Sequence, residues 1–408
     1  MGYPNSATQS ATDNLVQRLG YNPYGNTLPV AVDGKLVSTD KSWETDWTEE
    51  LFNDAAMRTE HTLAVSGGSE NTSYYFSSNY LDQEGSIKTS DFERVTTRMN
   101  IDSKVTDWIN VGLNSSYSTS SQTTPNQSGS EFTNIIQWIN SIASLYPVYR
   151  HDAQGTLIVD AGGNKIYDYG NNADGQSVNA RRTFEGENIV GSLYLYDALT
   201  KQDNVTLNSY AQIKITKDLS FKTQLSYEKY TFDAYNYLNN EYGKAASIAG
   251  SVEQNINFIT TKNIINSFNY NKSFDKHTIS ANAIHEAYKK NNDDMVAAGI
   301  GFLPNVKVLD GSTSPESVSG SFTDETLESY LARVAYDYNR TYFVEGSFRT
   351  DGSSRFNDEV RWGNFYSVGG SWIISRENFL KNSQFFDYLK LRFSYGELGN
   401  NRGIGYFP

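Results

Sequence analysis

The sequence predicts an all-β fold, part of an antiparallel transmembrane β-barrel with long extracellular loops and one short loop helix. Three observations carry this. Long stretches alternate apolar and polar residues with period two, and the connections between them alternate short and long. Aromatics make up 14% of the 408 residues, with 29 Tyr, while charged residues reach only 20%. Aromatic and β-branched side chains pack well on a pleated surface, so this composition suits strands.

The alternation is clearest where Val95, Thr97, Met99 and Ile101 share one face and Thr96, Arg98, Asn100 and Asp102 the other. After a polar turn, Ile109, Val111, Leu113, Ser115 and Tyr117 alternate with Asn110, Gly112, Asn114 and Ser116. The unit recurs in Val205 to Ile215 and, past Thr216-Lys217-Asp218, in Leu219 to Tyr227. Such runs are strands with one apolar and one wet face. Hairpins are also expected at about 60–67 with 73–82, 256–271 with 277–288, 326–338 with 341–350, and 363–375 with 388–397. That gives roughly twelve strands of about ten residues, the length that spans a bilayer when tilted.

Short connections fall at 67–71, 103–107, 216–218, 272–276 and 339–340, and long ones at 83–91, 119–203, 231–255, 289–325 and 351–362. Outer-membrane barrels are strung this way, with tight periplasmic turns and long extracellular loops. The connection at 376–387 is the exception, long where a tight turn is due. A soluble β-sandwich also alternates, but its strands are usually nearer five or six residues and its loops need not alternate in length. Residues 1–58 read as an irregular lead, and 59–408 as the partial barrel. The one helix is expected where Ile135, Trp138, Ile139, Ile142 and Tyr146 recur at helical spacing, with Ser128 and Glu131 as a capping box and Pro147 as the stop. Within the loop 119–203 it is placed over the barrel mouth or into the lumen.

Other classes are disfavoured. A net charge of -13 with dispersed Lys and Arg does not suit phosphate neutralisation. The chain has no cysteine, so no disulfide or thiolate–zinc site is possible. His61, His151, His277 and His285 lack metal-ligand spacing, and Asp293-Asp294 lacks the spacing of a calcium loop. No nucleophile–base pair is visible, so neither enzyme activity nor a metal or cofactor is expected. Met1 to Ser6 has no secretory pattern, and no run is long and apolar enough for a membrane helix. Together with the patternless end at Gly403 to Pro408, this favours a piece of a longer chain.

Several motifs then fall in order. WTEELF (Trp47 to Phe52) leads into TLAVSGG (Thr62 to Gly68), YYFSSNYLDQEG (Tyr74 to Gly85) and SDFER (Ser90 to Arg94). PVY at Pro147 to Tyr149 with a turn at Gly155, FRTDGSSRF (Phe348 to Phe356) and LKLRFSYGELGNN (Leu389 to Asn401) follow. This series resembles the SusC/RagA family of TonB-dependent outer-membrane transporters. The resemblance implies an outer-membrane location, a larger barrel holding an N-terminal plug, and a TonB box that draws energy through TonB. It also implies a SusD-like surface lipoprotein as lid, with oligosaccharide or peptide cargo. Twelve strands are about half of such a barrel, and open edges in lipid are not viable, so the residues given are not expected to act alone. A passive porin and a surface glycan-binding β-protein are the alternatives.

Loops and aromatic faces carry sugar sites, which makes Trp138, Tyr146, Tyr149, Tyr194, Tyr196, Tyr235, Tyr237 and Trp362 candidate ligand residues. Loop packing or lid contact is the competing role for each. Arg98, Lys214 and Lys222 are expected to line the lumen. Arg349, Asp351 and Arg355 are expected to form a charge network that orders a loop. Membrane lipid and lipopolysaccharide are the surrounding partners; nucleic acid is not.

Overall fold

The computed structural model describes residues 22–25, 30–32, 35–125, 134–152, 156–170, 181, 184–380, 384–401 and 403–406. A two-strand hairpin, β1 (Ala31–Val32) and β2 (Lys35–Leu36), lies in the lead. Apart from isolated bridges in the loops, the other strands of the described residues form one twelve-stranded antiparallel sheet in which every strand pairs with its neighbours in sequence. The strands are β3 (Arg58–Gly68), β4 (Thr72–Glu84), β5 (Asp91–Lys104), β6 (Ile109–Thr123), β7 (Asp197–Lys214) and β8 (Leu219–Leu238). They continue as β9 (Ser251–Phe274), β10 (His277–Phe302), β11 (Ser312–Tyr338), β12 (Tyr342–Ser353), β13 (Trp362–Ile373) and β14 (Lys390–Gly396), with β3 and β14 at the edges.

Register sorts the faces. One cross-strand row reads Phe221, Phe268, Ala283, Ala332, Phe348, Tyr366 from β8 to β13. The adjacent row, on the other face, reads Ser220, Asn269, Asn282, Arg333, Ser347, Ser367. Aromatic pairs lock the first row, with Phe221 and Phe268 centroids 4.9 Å apart and Phe348 and Tyr366 5.1 Å apart. Hydrogen bonds lock the second: Asn282 Nδ2 donates to Asn269 Oδ1 at 2.6 Å, and the Ser347 and Ser367 hydroxyls meet at 2.6 Å. Phe268 and Tyr366 are 49% and 53% exposed, a state that only lipid tolerates across a whole sheet face. The apolar face is therefore the outer one, and the polar face lines the lumen.

Aromatic belts mark both ends of the apolar band. At the short-turn end Phe274, His277, Tyr338, Tyr342 and Trp372 follow one another at centroid distances of 5.1, 5.0, 6.4 and 6.2 Å. At the other end Tyr330 stacks on Trp362 at 6.2 Å. Tyr330 and Tyr338 share β11, and at ~3.4 Å per residue they lie about 27 Å apart along the strand. A tilt of about 40° reduces that to a height of about 21 Å, a little under the ~25 Å of an outer-membrane apolar band.

The strands outrun the expected ten residues: β9, β10 and β11 have 24, 26 and 27. Most of the stretch expected as a loop at 289–325 is ladder, paired up to Phe302 and Ser312 with one bulge at Ala298/Gly299. Above the membrane both faces are wet, so Asn291-Asn292-Asp293-Asp294 has no reason to alternate and does not look like a strand. The connection expected at 231–255 shrinks to 239–250, and the long loop to 124–196. The irregular 376–387 link begins with a 3-10 turn at Ile374–Arg376, and Trp372 Nε1 anchors it by donating to Glu377 at 2.9 Å.

The expected helix is α2 (Ile135–Ser141), shorter than its pattern, capped by Asn134, whose side chain accepts from Gln137 N. Ser128, Glu131 and Gly155 lie outside the described residues. Two unforeseen helices join it, α1 (Trp47–Leu51) and α3 (Ile189–Leu195), of five and seven residues. Among the described residues no helix is long and apolar enough to cross a membrane, which says nothing against crossing with strands.

The face assignment is testable by paired substitutions on β9. Phe268→Arg places a charge in the lipid band and should lower folding stability by about 2–4 kcal/mol, whereas lumenal Asn269→Arg should cost less than about 1 kcal/mol. Heat-modified gel mobility of the folded barrel over a urea series reads both, and equal losses would reject the assignment.

Candidate functional site

The long loop closes on itself as a dome at the long-loop end of the sheet. Its core joins Trp47 and Leu51 of α1, Ile87 of the β4–β5 loop, Ile135 and Trp138 of α2, and Ile189, Val190 and Leu193 of α3. Trp138 is fully buried, stacked on Phe184 at 4.5 Å and edge-on to Trp47 at 5.5 Å. The lead is sewn to the loop, since Trp43 Nε1 donates to Leu145 O at 2.9 Å and Thr45 Oγ1 to Tyr146 O at 2.8 Å.

Buried polar groups hold the dome's other half. Asn188 caps α3 through Gly191 N (3.0 Å) and donates from Nδ2 to the carbonyls of Val148 (2.8 Å) and Asp168 (2.9 Å). Arg181 is only 2% exposed and donates to the carbonyls of Asp168, Phe184 and Glu187. Its guanidinium lies 3.9 Å from the Asp168 carboxylate and over the rings of Trp138 (5.4 Å) and Tyr146 (5.7 Å). Burial pushes Asp168 up from the usual carboxylate range, opposed by Arg181. Burial also pushes Glu187 up to about 7, against the pull of Lys244, Tyr196 and Arg181. The Tyr196 hydroxyl accepts from Lys244 N at 3.1 Å across Gly243. Gly243 has φ +78, and a Cβ there would sit 2.1 Å from that hydroxyl, so only glycine fits.

The ligand candidates separate by position. Tyr149 stacks on Tyr167 at 5.3 Å beneath Lys165, Tyr194 is 54% exposed, and Tyr146 packs against the dome core. Burial raises Tyr167 to about 12 and Tyr149 in the same direction. Tyr196 lines a cavity of about 430 Å³ between the dome and the strand tops, with Ile135, Leu193, Asn236, Lys244 and Glu253. Asn236 and Glu253 are register partners on the lumenal face.

Four candidates need correction. Trp138 has no exposed surface to offer a ligand. Tyr237 (1% exposed) and Tyr235 stand on the outer face, where the strap 303–311 covers them: Lys307 lies 4.7 Å over the Tyr237 ring, and the Tyr235 hydroxyl donates to Lys307 O. Trp362 also points outward, over Gly352, within the upper aromatic belt.

Arg98, Lys214 and Lys222 all stand on the lumenal face; Arg98 is in register with Ser77 and Ser116. Lys222 lies 4.6 Å over the Tyr210 ring, and the Tyr210 hydroxyl donates to Asp102. That ring crosses Gly112, where a Cβ would meet it at 2.1 Å. The expected charge network is two clusters. Arg349 and Asp351 lie within β12, joined at 2.7 Å, with Arg349 also on Ser329 (3.1 Å) and Glu286 (3.6 Å). Arg355 instead grips Glu325 twice at 2.9 Å, donates to Ile404 O and lies over Tyr406, which ties the β12–β13 turn to Ile404 and Tyr406.

The sequence reading missed Arg181, Asn188 and Glu187, because most of their partners are backbone carbonyls and rings of the same irregular loop, which carry no sequence pattern. A local signal existed in Tyr167-Asp168-Tyr169, a polar–aromatic run too short for a strand. Among the described residues no group of acidic and His side chains could hold a metal ion.

Fold and site together define wall and extracellular cap of an outer-membrane β-barrel. The chain is 30% identical over 377 residues to TonB-dependent receptor P39 of Formosa agariphila, a match covering 88% of this chain and 32% of that one. To TonB-dependent receptor SusC of Bacteroides thetaiotaomicron it is 25% identical over 397 residues, covering 93% of this chain and 37% of that one. A structure of the RagAB peptide transporter superposes with a TM-score of 0.72 at 23% identity, covering 99% of this chain and 44% of that one. No family profile matches. The SusC/RagA resemblance thus holds across the chain in sequence and in fold, and it places the chain in the outer membrane. The chain spans about a third of the length of the curated relatives it matches.

Two predictions follow from the dome. Arg181→Ala strands the buried Asp168 carboxylate and should destabilise the dome by about 3–5 kcal/mol; limited proteolysis should then cut within 134–196 while the barrel stays intact. Glu187 keeps its proton up to about pH 7 in the folded dome but only to about 4.5 when exposed. Dome stability is therefore full below pH 4.5 and falls as pH rises through 7, by order of 3 kcal/mol. Glu187→Gln should reduce that slope in proteolysis rates measured from pH 4 to 8, leaving the part that Asp168, also raised by burial, adds in the same direction.

Proposed function

We propose that the chain forms wall and extracellular cap of a TonB-dependent importer that takes up an oligosaccharide or a peptide under a SusD-like surface lipoprotein. The observation that carries this reading is the cavity of about 430 Å³ between dome and lumenal strand tops. Its size suits a small ligand or one end of a larger one. Tyr196 supplies an aromatic edge, Asn236 a planar amide, and Lys244 and Glu253 opposite charges, a set that serves hydroxyl-rich and amide-rich cargo alike. The similarity to SusC and to the RagAB peptide transporter supports the same class of cargo. Energy would arrive through a plug and TonB box, which in that family precede the barrel. The exposed Tyr194 and the Tyr149–Tyr167 stack offer the dome's surface to the lipoprotein.

In the complete receptor, Asn236→Ala with Glu253→Gln should weaken cargo binding by about tenfold, the loss of one or two hydrogen bonds, with folding unchanged. Calorimetry against oligosaccharide and peptide panels reads this. Full affinity in the double variant would overturn the cavity as the cargo site.

A further inference from the structure

A second cluster faces away from the lumen, at the upper edge of the lipid band. On the outer face the row Leu225, Ile264, Ala287 runs from β8 to β10. The row directly above it carries Lys262 and Lys289, which are register partners, so two ammonium groups oppose one another on adjacent strands. Cβ atoms so placed are about 5 Å apart and like charges there repel. Lys229 lies diagonal to Lys262, in register with Thr260. Arg361 and Trp362 close the side of a groove of about 590 Å³ that Leu225, Ile264, Lys262 and Lys289 also line.

Two carboxylates border it. Glu328, in register with Ala287, also lines the groove; it accepts from the Tyr330 hydroxyl at 2.7 Å and lies 3.1 Å from His285 Nε2. Asp324 lies 3.6 Å from Lys289, with both side chains about half exposed (49% and 48%), a pair worth at most about 1 kcal/mol. Arg361 pairs with the largely exposed Asp358 through Nη2, yet its Nε is buried with no hydrogen-bond partner. Lys262 has no ion pair among the described residues.

We propose that this groove binds the phosphorylated headgroup of an outer-leaflet lipid, with phosphate held by Lys262 and Lys289 beside the Arg361 guanidinium, and acyl chains lying on Leu225 and Ile264. The position decides the occupant. The groove is on the lipid-facing side and at the long-loop, extracellular end, and basic pockets at such depth select anionic headgroups. A free anion would use the cations and leave the apolar row idle. The long stems of Lys262 and Lys289 can lie along apolar surface with their charged ends at the headgroup level. The proposal rests on the barrel reading of the wall and not on the nature of the cargo.

The test uses the complete receptor in detergent, with native mass spectrometry counting bound lipid. The probes are bis-phosphorylated lipid A, the same lipid without phosphate, and inorganic phosphate. Phosphorylated lipid should be retained, and K262Q/K289Q should weaken it about thirtyfold, at roughly the attraction each surface lysine lends to an anionic lipid. K262R/K289R, which keeps both charges, should bind like the parent, and that separates charge from a folding defect. Equal retention of phosphate-free lipid, or an unaltered K262Q/K289Q variant, overturns the site. Displacement of the lipid by millimolar inorganic phosphate would show a free-anion site and also overturns it. None of these results bears on the barrel, whose failure would appear separately as loss of the folded form in the same detergent.

Discussion

Lipid cannot hydrogen-bond a backbone, and the rest of this structure follows from that. Each N–H and C=O in the band must find a partner on a neighbouring strand, so the chain crosses as a continuous antiparallel ladder. Because successive side chains point to opposite faces, a slip of one residue would exchange Phe268 for Asn269 in the lipid. Register is thereby fixed along the whole sheet, and the Phe221 to Tyr366 row is its visible result. The sheet's edges, β3 and β14, fall under the same constraint. A lipid-facing edge needs another strand, and the relatives, about three times as long, have the length for one.

Above the band that constraint lapses, and different forces take over. Water on both faces allows β10 and β11 to continue as a polar ladder. The dome, free of lipid, packs as a small soluble unit around Trp47, Trp138 and Phe184. Its polar half depends on Arg181 satisfying carbonyls that no regular element could pair, since unpaired buried carbonyls are costly. Glu187 is the residual tension of that arrangement, a carboxyl held against Lys244 and Tyr196 with one oxygen unpaired. The cavity beneath the dome exists because the two regimes meet there: soluble-style packing above, strand tops below.

How much of this was legible in the sequence depended on which force placed each residue. Wherever one face met lipid, period two revealed strand, face and approximate turn, as in Val95 to Asp102. The same rule failed at 289–325, where both faces are wet. Arg349, Asp351 and Arg355 carried a charge pattern, but they fall in two clusters, with Glu286 and Glu325 as the unseen partners. Aromatic candidates were ambiguous in principle. A tyrosine at a rim suits a cargo site, a belt or a strap equally, and only the register with Gly352 shows that Trp362 belongs to the belt. The dome's core residues were visible in α2 alone, since α1 is little more than a single turn and α3, also seven residues long, has no charged residue to mark a polar face.

The central claim is that one face of this sheet meets lipid and the other an aqueous lumen. These 408 residues contain no cysteine, so single cysteines can be placed at successive positions from 263 to 273 on β9 and compared with the unsubstituted protein as the background. In cells, a membrane-impermeant maleimide should label the lumenal positions, such as 265, 267 and 269, and spare 264, 266 and 268. A spin label at the spared positions should be quenched by oxygen dissolved in the bilayer. Labelling that does not alternate, or that favours Ile264 and Phe268, would contradict the account.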